Sequence, residues 1–474
     1  MAMTAEQQHR ATGDDWKPLT AIVVLTLAFQ FTNFVFDWNT LSLRDRFTAN
    51  LELTVGDNTH YFAIAANLLS GKGYMDSDGE MLTVRAKTIT YRRMPGSPFL
   101  FAIPLALFCR DTGYQITEAN ALQVWLFMYG VHLAALCLGG VYLYKLADLF
   151  LASRGMAFGA ALLYVLWPSN LVFLSPSMAR FTAETLVAPL FIWSYYLLHD
   201  PHGTVRSRLL AGAVLGFCLL SRVYLVLVLA GIVVLALVLR NVQFRRNVLV
   251  AVFVAVVILL PWPVRNYLVF GDFSLSSQGG IQLWLGNNAE ARGSIDGRMY
   301  DEGYSRPQDF PLLRQLEEKY PGLVYMQGYD ETQAKAILRK EAVDWIVANW
   351  RAVPDLWLRK LAITLYPANF GTGKKINLLT AMVFLLSLPG VGLYLYRCAK
   401  GLAPPEFLSL TLPIVCMCLV NVLFFAEYRT RLLMEPFMIL FAVYGVHHLI
   451  RKAPLHLVRW RQEGLREWKR CEGK

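Results

Sequence analysis

Two carboxylates and a recurring set of arginines are the groups in this 474-residue chain best suited to chemistry. Asp57 lies in Gly56-Asp57-Asn58-Thr59-His60-Tyr61, at the head of a helical pattern formed by Tyr61, Ala65, Leu68 and Leu69. Glu184 opens a strongly apolar block. A carboxylate in either place can take or orient a hydroxyl proton, provided that it lies within hydrogen-bond reach and carries a suitable pKa. Arg85, Arg92 and Arg93 follow Asp57, and Arg180, Arg222, Arg265, Arg429 and Arg431 recur at the ends of apolar blocks. A guanidinium fork matches a phosphate, so the set suits acid–base chemistry beside an anion clamp. Blander roles fit the same positions. Asp57 stands where an N-cap belongs, with Gly71 at the matching C′ position. Glu184 can pair with Arg180 at i,i+4, and the arginines can face lipid headgroups. Spacing alone leaves both sets of roles open.

The elements that must position these groups follow from composition. Hydrophobic residues make up 55% of the chain and charged residues 17%, against about 25% charged in soluble domains. The apolar residues fall into repeated blocks near the length that crosses a bilayer as a helix. They are continuously apolar rather than alternating, which excludes a β-barrel. Expected spans are 19–36, 119–144, 156–174, 185–198, 209–220, 224–239, 248–261, 378–396, 407–425 and 432–450. Short connections alternate between basic (145–154, 199–208, 240–246, 397–406 and the tail from Arg451) and poor in Lys and Arg (near Pro176, Ser221 and Glu427). That parity puts both termini in the cytoplasm.

The expected organisation is therefore a cytoplasmic N-terminus (1–18), a transmembrane core (19–261) including a first exterior loop (37–118), a large exterior loop (262–377), C-terminal spans (378–450) and a basic cytoplasmic tail (451–474). The first apolar block lacks a small-residue cleavage site and reads as a retained anchor. Pro98–Phe108 is too short to span and reads as a helix at the interface or packed on the bundle. Were it to span, the parity downstream would invert. The net charge of +11 belongs to this topology, not to nucleic-acid binding. Cys137, Cys218, Cys416 and Cys418 lie inside apolar blocks and read as packing residues, with no metal or disulfide spacing.

Positive charge on the exterior side runs against the usual bias, so an anionic ligand such as a lipid phosphate suits these arginines. The large exterior loop carries Gln282-Leu283-Trp284-Leu285-Gly286-Asn287-Asn288. An amphipathic helix from about Glu331 to Trp350 follows, with Leu338, Ala342, Trp345, Ile346 and Trp350 on one face. Asp330 and Gln333 resemble a capping pair at its start. Trp345, Trp350 and Trp357 favour the membrane interface over a sugar site.

Several motifs together resemble one family. The Gly56-Asp57 turn, the run Tyr61…Ala65…Asn67-Leu68-Leu69…Gly71-Lys72-Gly73-Tyr74 and the turn Pro95-Gly96-Ser97-Pro98 resemble the first periplasmic loop of GT-C glycosyltransferases. The resemblance is to the group of dolichyl-phosphate-mannose–protein mannosyltransferases and lipid A aminoarabinose transferases, glycosyltransferase family 39 and its kin. Glu184, Pro261-Trp262-Pro263-Val264-Arg265-Asn266-Tyr267, Gly286-Asn287-Asn288 and Tyr428-Arg429 fit the same pattern.

The resemblance implies an all-α, GT-C-like bundle of about ten transmembrane helices with two long exterior loops bearing juxtamembrane helices. It implies an inverting transferase that uses a polyprenyl-phosphate sugar and a protein, lipid A or glycan acceptor, in a bacterial inner (plasma) membrane. Asp57 becomes the base or orienting carboxylate, and Glu184 the acidic residue of the second loop. Arg85, Arg92, Arg180, Arg222, Arg265, Asn287, Arg429 and Arg431 become candidates for donor phosphate or substrate. Many relatives carry a second acid after the first aspartate, where this chain has Asn58. A metal-binding carboxylate pair is therefore not expected there, and dependence on a divalent metal stays open. A polysaccharide polymerase or ligase using lipid-linked sugars, or a lipid or solute transporter, is the alternative.

Overall fold

The computed structural model describes residues 16–40, 57–76, 89–174, 183–294, 309–366 and 378–449. In chain order its α-helices are α1 (Trp16–Thr40), α2 (Asp57–Leu69), α3 (Gly96–Phe108), α4 (Ala121–Leu151), α5 (Arg154–Val165), α6 (Pro168–Phe173), α7 (Ala183–His199), α8 (Val205–Ser221) and α9 (Leu225–Val238). They continue as α10 (Val242–Leu259), α11 (Pro261–Phe270), α12 (Gln278–Gly286), α13 (Pro311–Lys319), α14 (Glu331–Ala348), α15 (Val353–Leu365), α16 (Leu378–Ala399), α17 (Leu412–Leu423) and α18 (435–449). The fold is all-α among the described residues, with one isolated antiparallel bridge, Met75 to Ile89.

Among the described residues five helical runs are long and apolar enough to cross a membrane: Trp16–Val35, Ala121–Leu151, Val242–Phe270, Leu378–Ala399 and Pro405–Leu423. The other expected spans fall on shorter helices, α5–α6, α7, α8, α9 and α18. Two departures have local causes. The expected span 156–174 breaks into α5 and α6 because Pro168 offers no amide hydrogen, and the chain turns at Leu166–Trp167. The expected span ending at Pro261 instead runs on through α11, because Pro261 stands at a position whose amide would have no partner. Pro98–Phe108 lies in α3, 13 residues and about 20 Å long, packed on α2 and α4.

Small residues let the bundle helices approach closely. A Cβ at Gly212 of α8 would lie 2.6 Å from Val254, and one at Gly216 would lie 2.9 Å from Ile258, so α8 and α10 meet along a glycine seam. A methyl at Gly390 of α16 would overlap the carbonyl of Phe441 on α18. The large bundle core runs from Ile22 through Leu143, Tyr195 and Phe437 to Tyr444.

The helices of the two long segments expected outside the membrane carry cores of their own. One joins α2 to α3 and α4 through Tyr61, Phe62, Phe101 and Trp125. Another joins α12, α13 and α14 through Ile281, Trp284, Leu313, Leu338 and Ala342. The ends of these helices are closed as their residues predict. Lys72 donates to Asn67 and Gly71 to Leu68 across Gly71 at φ 72°, a left-handed residue that only glycine adopts without strain. Asp330 and Gln333 exchange the two bonds of a capping box at 2.8 and 3.0 Å.

Candidate active site

α2 delivers Asp57 to a junction where three other segments arrive. The segment after the Met75–Ile89 bridge brings Arg93, the turn between α8 and α9 brings Arg222, and the 3₁₀ segment Tyr428–Leu433 brings Arg429. Arg93 Nη1 donates to Asp57 Oδ1 at 2.7 Å, and Arg429 Nη1 to Asp57 Oδ2 at 2.6 Å. Arg222 stands 4.0 Å from Oδ2. The first residue of α2 thus spends both oxygens on guanidinium groups from elsewhere in the fold.

Glu184, second residue of α7, faces the same junction. Arg222 pairs with it, Nη2 donating to Oε2 at 2.8 Å and Nε standing 2.7 Å from Oε1. Tyr224 adds a hydroxyl donor at 3.2 Å, and Arg222 Nη1 reaches the Tyr61 hydroxyl at 3.1 Å. Glu427 closes the far side on Arg429, donating partner of its Oε1 at 2.6 Å. Three arginines and three carboxylates therefore form one continuous array, with Arg222 as the bridge between Asp57 and Glu184. The Asp57 side chain keeps 15% of its surface exposed and Glu184 only 3%.

Burial alone would raise the Asp57 pKa, but Arg93, Arg429 and Arg222 outweigh it and hold the carboxyl well below the usual range. One helical turn on, buried His60 meets Asp76 at 2.8 Å through Nδ1. Burial lowers the His60 pKa despite that bond, so the imidazole favours its neutral form.

The other candidate residues go elsewhere. Arg92 is buried and adds positive charge beside the His60–Asp76 pair. Arg265 stacks 5.0 Å over the Trp262 ring and donates to the Thr90 carbonyl at 2.9 Å, so its reach is to the backbone before Arg93. Asn287 donates to the carbonyls of Leu283 and Leu423, both at 2.8 Å. Arg431 points into the bundle toward Glu435 at 3.5 Å and the Tyr366 carbonyl. Arg85 and Arg180 lie outside the described residues, and so does any Glu184–Arg180 pair.

Sequence reasoning passed over Glu427, Tyr61, Tyr224 and the His60–Asp76 pair, and it ranked Arg92 above Arg93. The two neighbours end apart, with Arg93 on Asp57 and Arg92 beside the His60–Asp76 pair. The Glu427-Tyr428-Arg429 run was the available signal for Glu427. Among the described residues no group of three or more His, Cys, Asp or Glu could hold a metal ion. Both site carboxylates are directed at guanidinium groups.

No protein-family model matches this chain, and no curated protein does. Solved structures do match. The archaeal oligosaccharyltransferase AglB from Archaeoglobus fulgidus, in complex with an inhibitory peptide and a dolichol-phosphate, is 14% identical over 94% of this chain and 52% of its own, with a TM-score of 0.48. The same archaeal enzyme tethered to an acceptor peptide matches over 92% of this chain and 50% of its own, with 14% identity and a TM-score of 0.49. ArnT from Cupriavidus metallidurans, bound to undecaprenyl phosphate, is 14% identical over 90% of this chain and 78% of its own, with a TM-score of 0.37. The chain spans about half the length of the archaeal enzyme.

Proposed function

We propose that this protein transfers a sugar, with inversion, from a polyprenyl-phosphate donor to an acceptor hydroxyl on the non-cytoplasmic face of a membrane. One observation carries the reading. Asp57 and Glu184, 127 positions apart in the chain, share a single array with Arg93, Arg222 and Arg429 beside the apolar helices. An anionic leaving group needs preorganised donors, and the acceptor needs a carboxylate at hand. Both are present within one cluster.

In the resting array the arginines make Asp57 a poor base. A donor phosphate offers Arg93 and Arg429 a second anion, and as they turn to it the Asp57 carboxylate regains basicity. The acceptor hydroxyl then gives its proton to Asp57 while its oxygen bonds to the anomeric carbon. The bond from that carbon to the phosphate oxygen breaks, and the polyprenyl phosphate leaves with the electron pair. Glu184 holds Arg222 in place between the two carboxylates. The donor lipid arrives through the bilayer, and the acceptor is a protein, lipid A or glycan hydroxyl.

The test is transfer in membranes containing the full chain, with a panel of polyprenyl-phosphate sugars as donors. One donor should support turnover, and Asp57→Asn should abolish it while leaving the folded protein intact. Near-wild-type turnover by that variant would remove Asp57 from the mechanism.

A further inference from the structure

Two buried charged side chains of the large exterior segment take no part in the reaction proposed above. Glu331, at the start of α14, accepts from Thr90 Oγ1 at 2.5 Å, Ser277 Oγ at 2.9 Å and the Tyr91 amide at 3.3 Å. Lys360 of α15 has no exposed surface and donates to Asn287 Oδ1 at 3.0 Å and the Val422 carbonyl at 3.1 Å. Among the described residues neither lies in an ion pair. Burying an ion is costly, and both take their hydrogen bonds from neutral partners, with the Arg92 and Arg265 charges acting on Glu331 from beyond ion-pair distance.

The two share a second property. Each grips a backbone segment that leads into one of the two arginines bonded to Asp57. Glu331 holds Thr90 and Tyr91, just ahead of Arg93. The same stretch is pinned again by Ser276 on the Arg92 carbonyl at 2.5 Å, Tyr74 on the Arg93 carbonyl at 2.9 Å and Arg265 on the Thr90 carbonyl. Lys360 holds Val422, and Asn287 holds Leu423, at the end of α17 that runs on to Arg429. The Ala426 amide donates to the Gly293 carbonyl at 2.8 Å, and a methyl at Gly286 would overlap the carbonyl of Phe424. A carboxylate can accept several bonds at once and an ammonium can donate several, so each ion holds one backbone atom, the Tyr91 amide or the Val422 carbonyl, together with neighbouring side chains.

We propose that Glu331 and Lys360 are positioning residues, through which the exterior layer sets the Arg93 and Arg429 guanidinium groups against Asp57 and the donor phosphate. The proposal rests on the reading of the Asp57 cluster as a lipid-phosphate site. It assigns the costly burial of each ion to the geometry of an arginine, as a supporting shell does for a site that must be held within a fraction of an ångström.

The experiment uses the full chain in lipid nanodiscs, with undecaprenyl monophosphate as the probe. Glu331→Gln and Lys360→Met should each weaken its binding about tenfold or more, the scale of a misplaced binding group. Glu331→Gln should add less than about twofold to Arg93→Lys, because both act through the same guanidinium, but should multiply with Arg429→Lys. Lys360→Met should show the opposite pairing. Amide exchange supplies a readout independent of the lipid: Glu331→Gln should speed exchange at residues 91–93, and Lys360→Met at 423–427, with α2 unchanged. Multiplying losses in the Glu331→Gln, Arg93→Lys double variant would overturn the proposal, as would exchange that rises throughout the bundle. If the unaltered protein fails to bind the lipid phosphate, the functional reading falls, and the exchange pattern alone decides whether these two ions position the arginines.

Discussion

Arg429 and Arg431 stand two residues apart on one 3₁₀ turn and end in opposite environments. Arg429 reaches outward to Asp57 and Glu427, in an array whose central carboxylate keeps 15% of its surface accessible. Arg431 turns inward to Glu435, where the two side chains expose only 1% and 2%. Ser169 donates to the same glutamate at 3.2 Å. Both are charge pairs made from the same residue types. What separates them is access: a substrate can meet the first and cannot meet the second. A buried pair of the second kind is weak support for activity and strong support for a fixed geometry. Chemistry at the outer pair should therefore be separable from stability at the inner one.

That separation can be tested in order of expected effect. Asp57→Asn should cost about 10²–10⁴-fold in transfer rate, the worth of a positioned general base, with little change in thermal midpoint. Glu435→Leu should do the reverse. Leaving Arg431 buried without this carboxylate should cost about 3–5 kcal/mol of stability in thermal or denaturant unfolding, while each folded molecule turns over normally. If Glu435→Leu instead removed turnover without destabilising the fold, the inner pair would belong to the site.

Two smaller effects probe the layer built from α12 to α15. Burial lowers the Lys360 pKa to about 8 from its usual 10.5. Between those values the unfolded chain holds a proton that the folded chain has lost, so raising the pH favours the folded state. Stability of the wild type should rise with pH across that window by on the order of 1 kcal/mol per unit. In Lys360→Met this contribution should vanish, so a rise of the same size in the variant would assign it to another group. Asp330→Ala removes a cap bond of 2.8 Å and should cost about 1 kcal/mol in unfolding, with transfer unaffected. A loss of transfer there would show that the layer's stability and the site's geometry are not separable.

Local features of this fold were readable in the residues themselves. Gly71 closes α2 because a glycine after an apolar run can enter the left-handed region, and Asp330 with Gln333 caps α14 because their spacing allows both bonds. The apolar blocks all became helices. What was not readable depends on long-range geometry. Nothing local distinguishes Arg92 from Arg93, since the stretch they share is held by contacts from distant residues, Tyr74, Arg265, Ser276 and Glu331. Nothing in Glu427-Tyr428-Arg429-Thr430-Arg431 shows that a 3₁₀ turn will send its two arginines apart. Lys360 sits in an ordinary amphipathic stretch, and its burial follows from α15 docking beneath the end of α17. Arg265 and Asn287 carried suggestive motifs, yet in the structure both hold backbone carbonyls.

The most direct test of the whole account is a structure of the full chain in a lipid bilayer with a polyprenyl monophosphate bound. The account predicts the phosphate within hydrogen-bond reach of Arg93 and Arg429, with both guanidinium groups drawn away from Asp57. A phosphate bound elsewhere, with the 2.7 and 2.6 Å contacts to Asp57 unchanged, would contradict it.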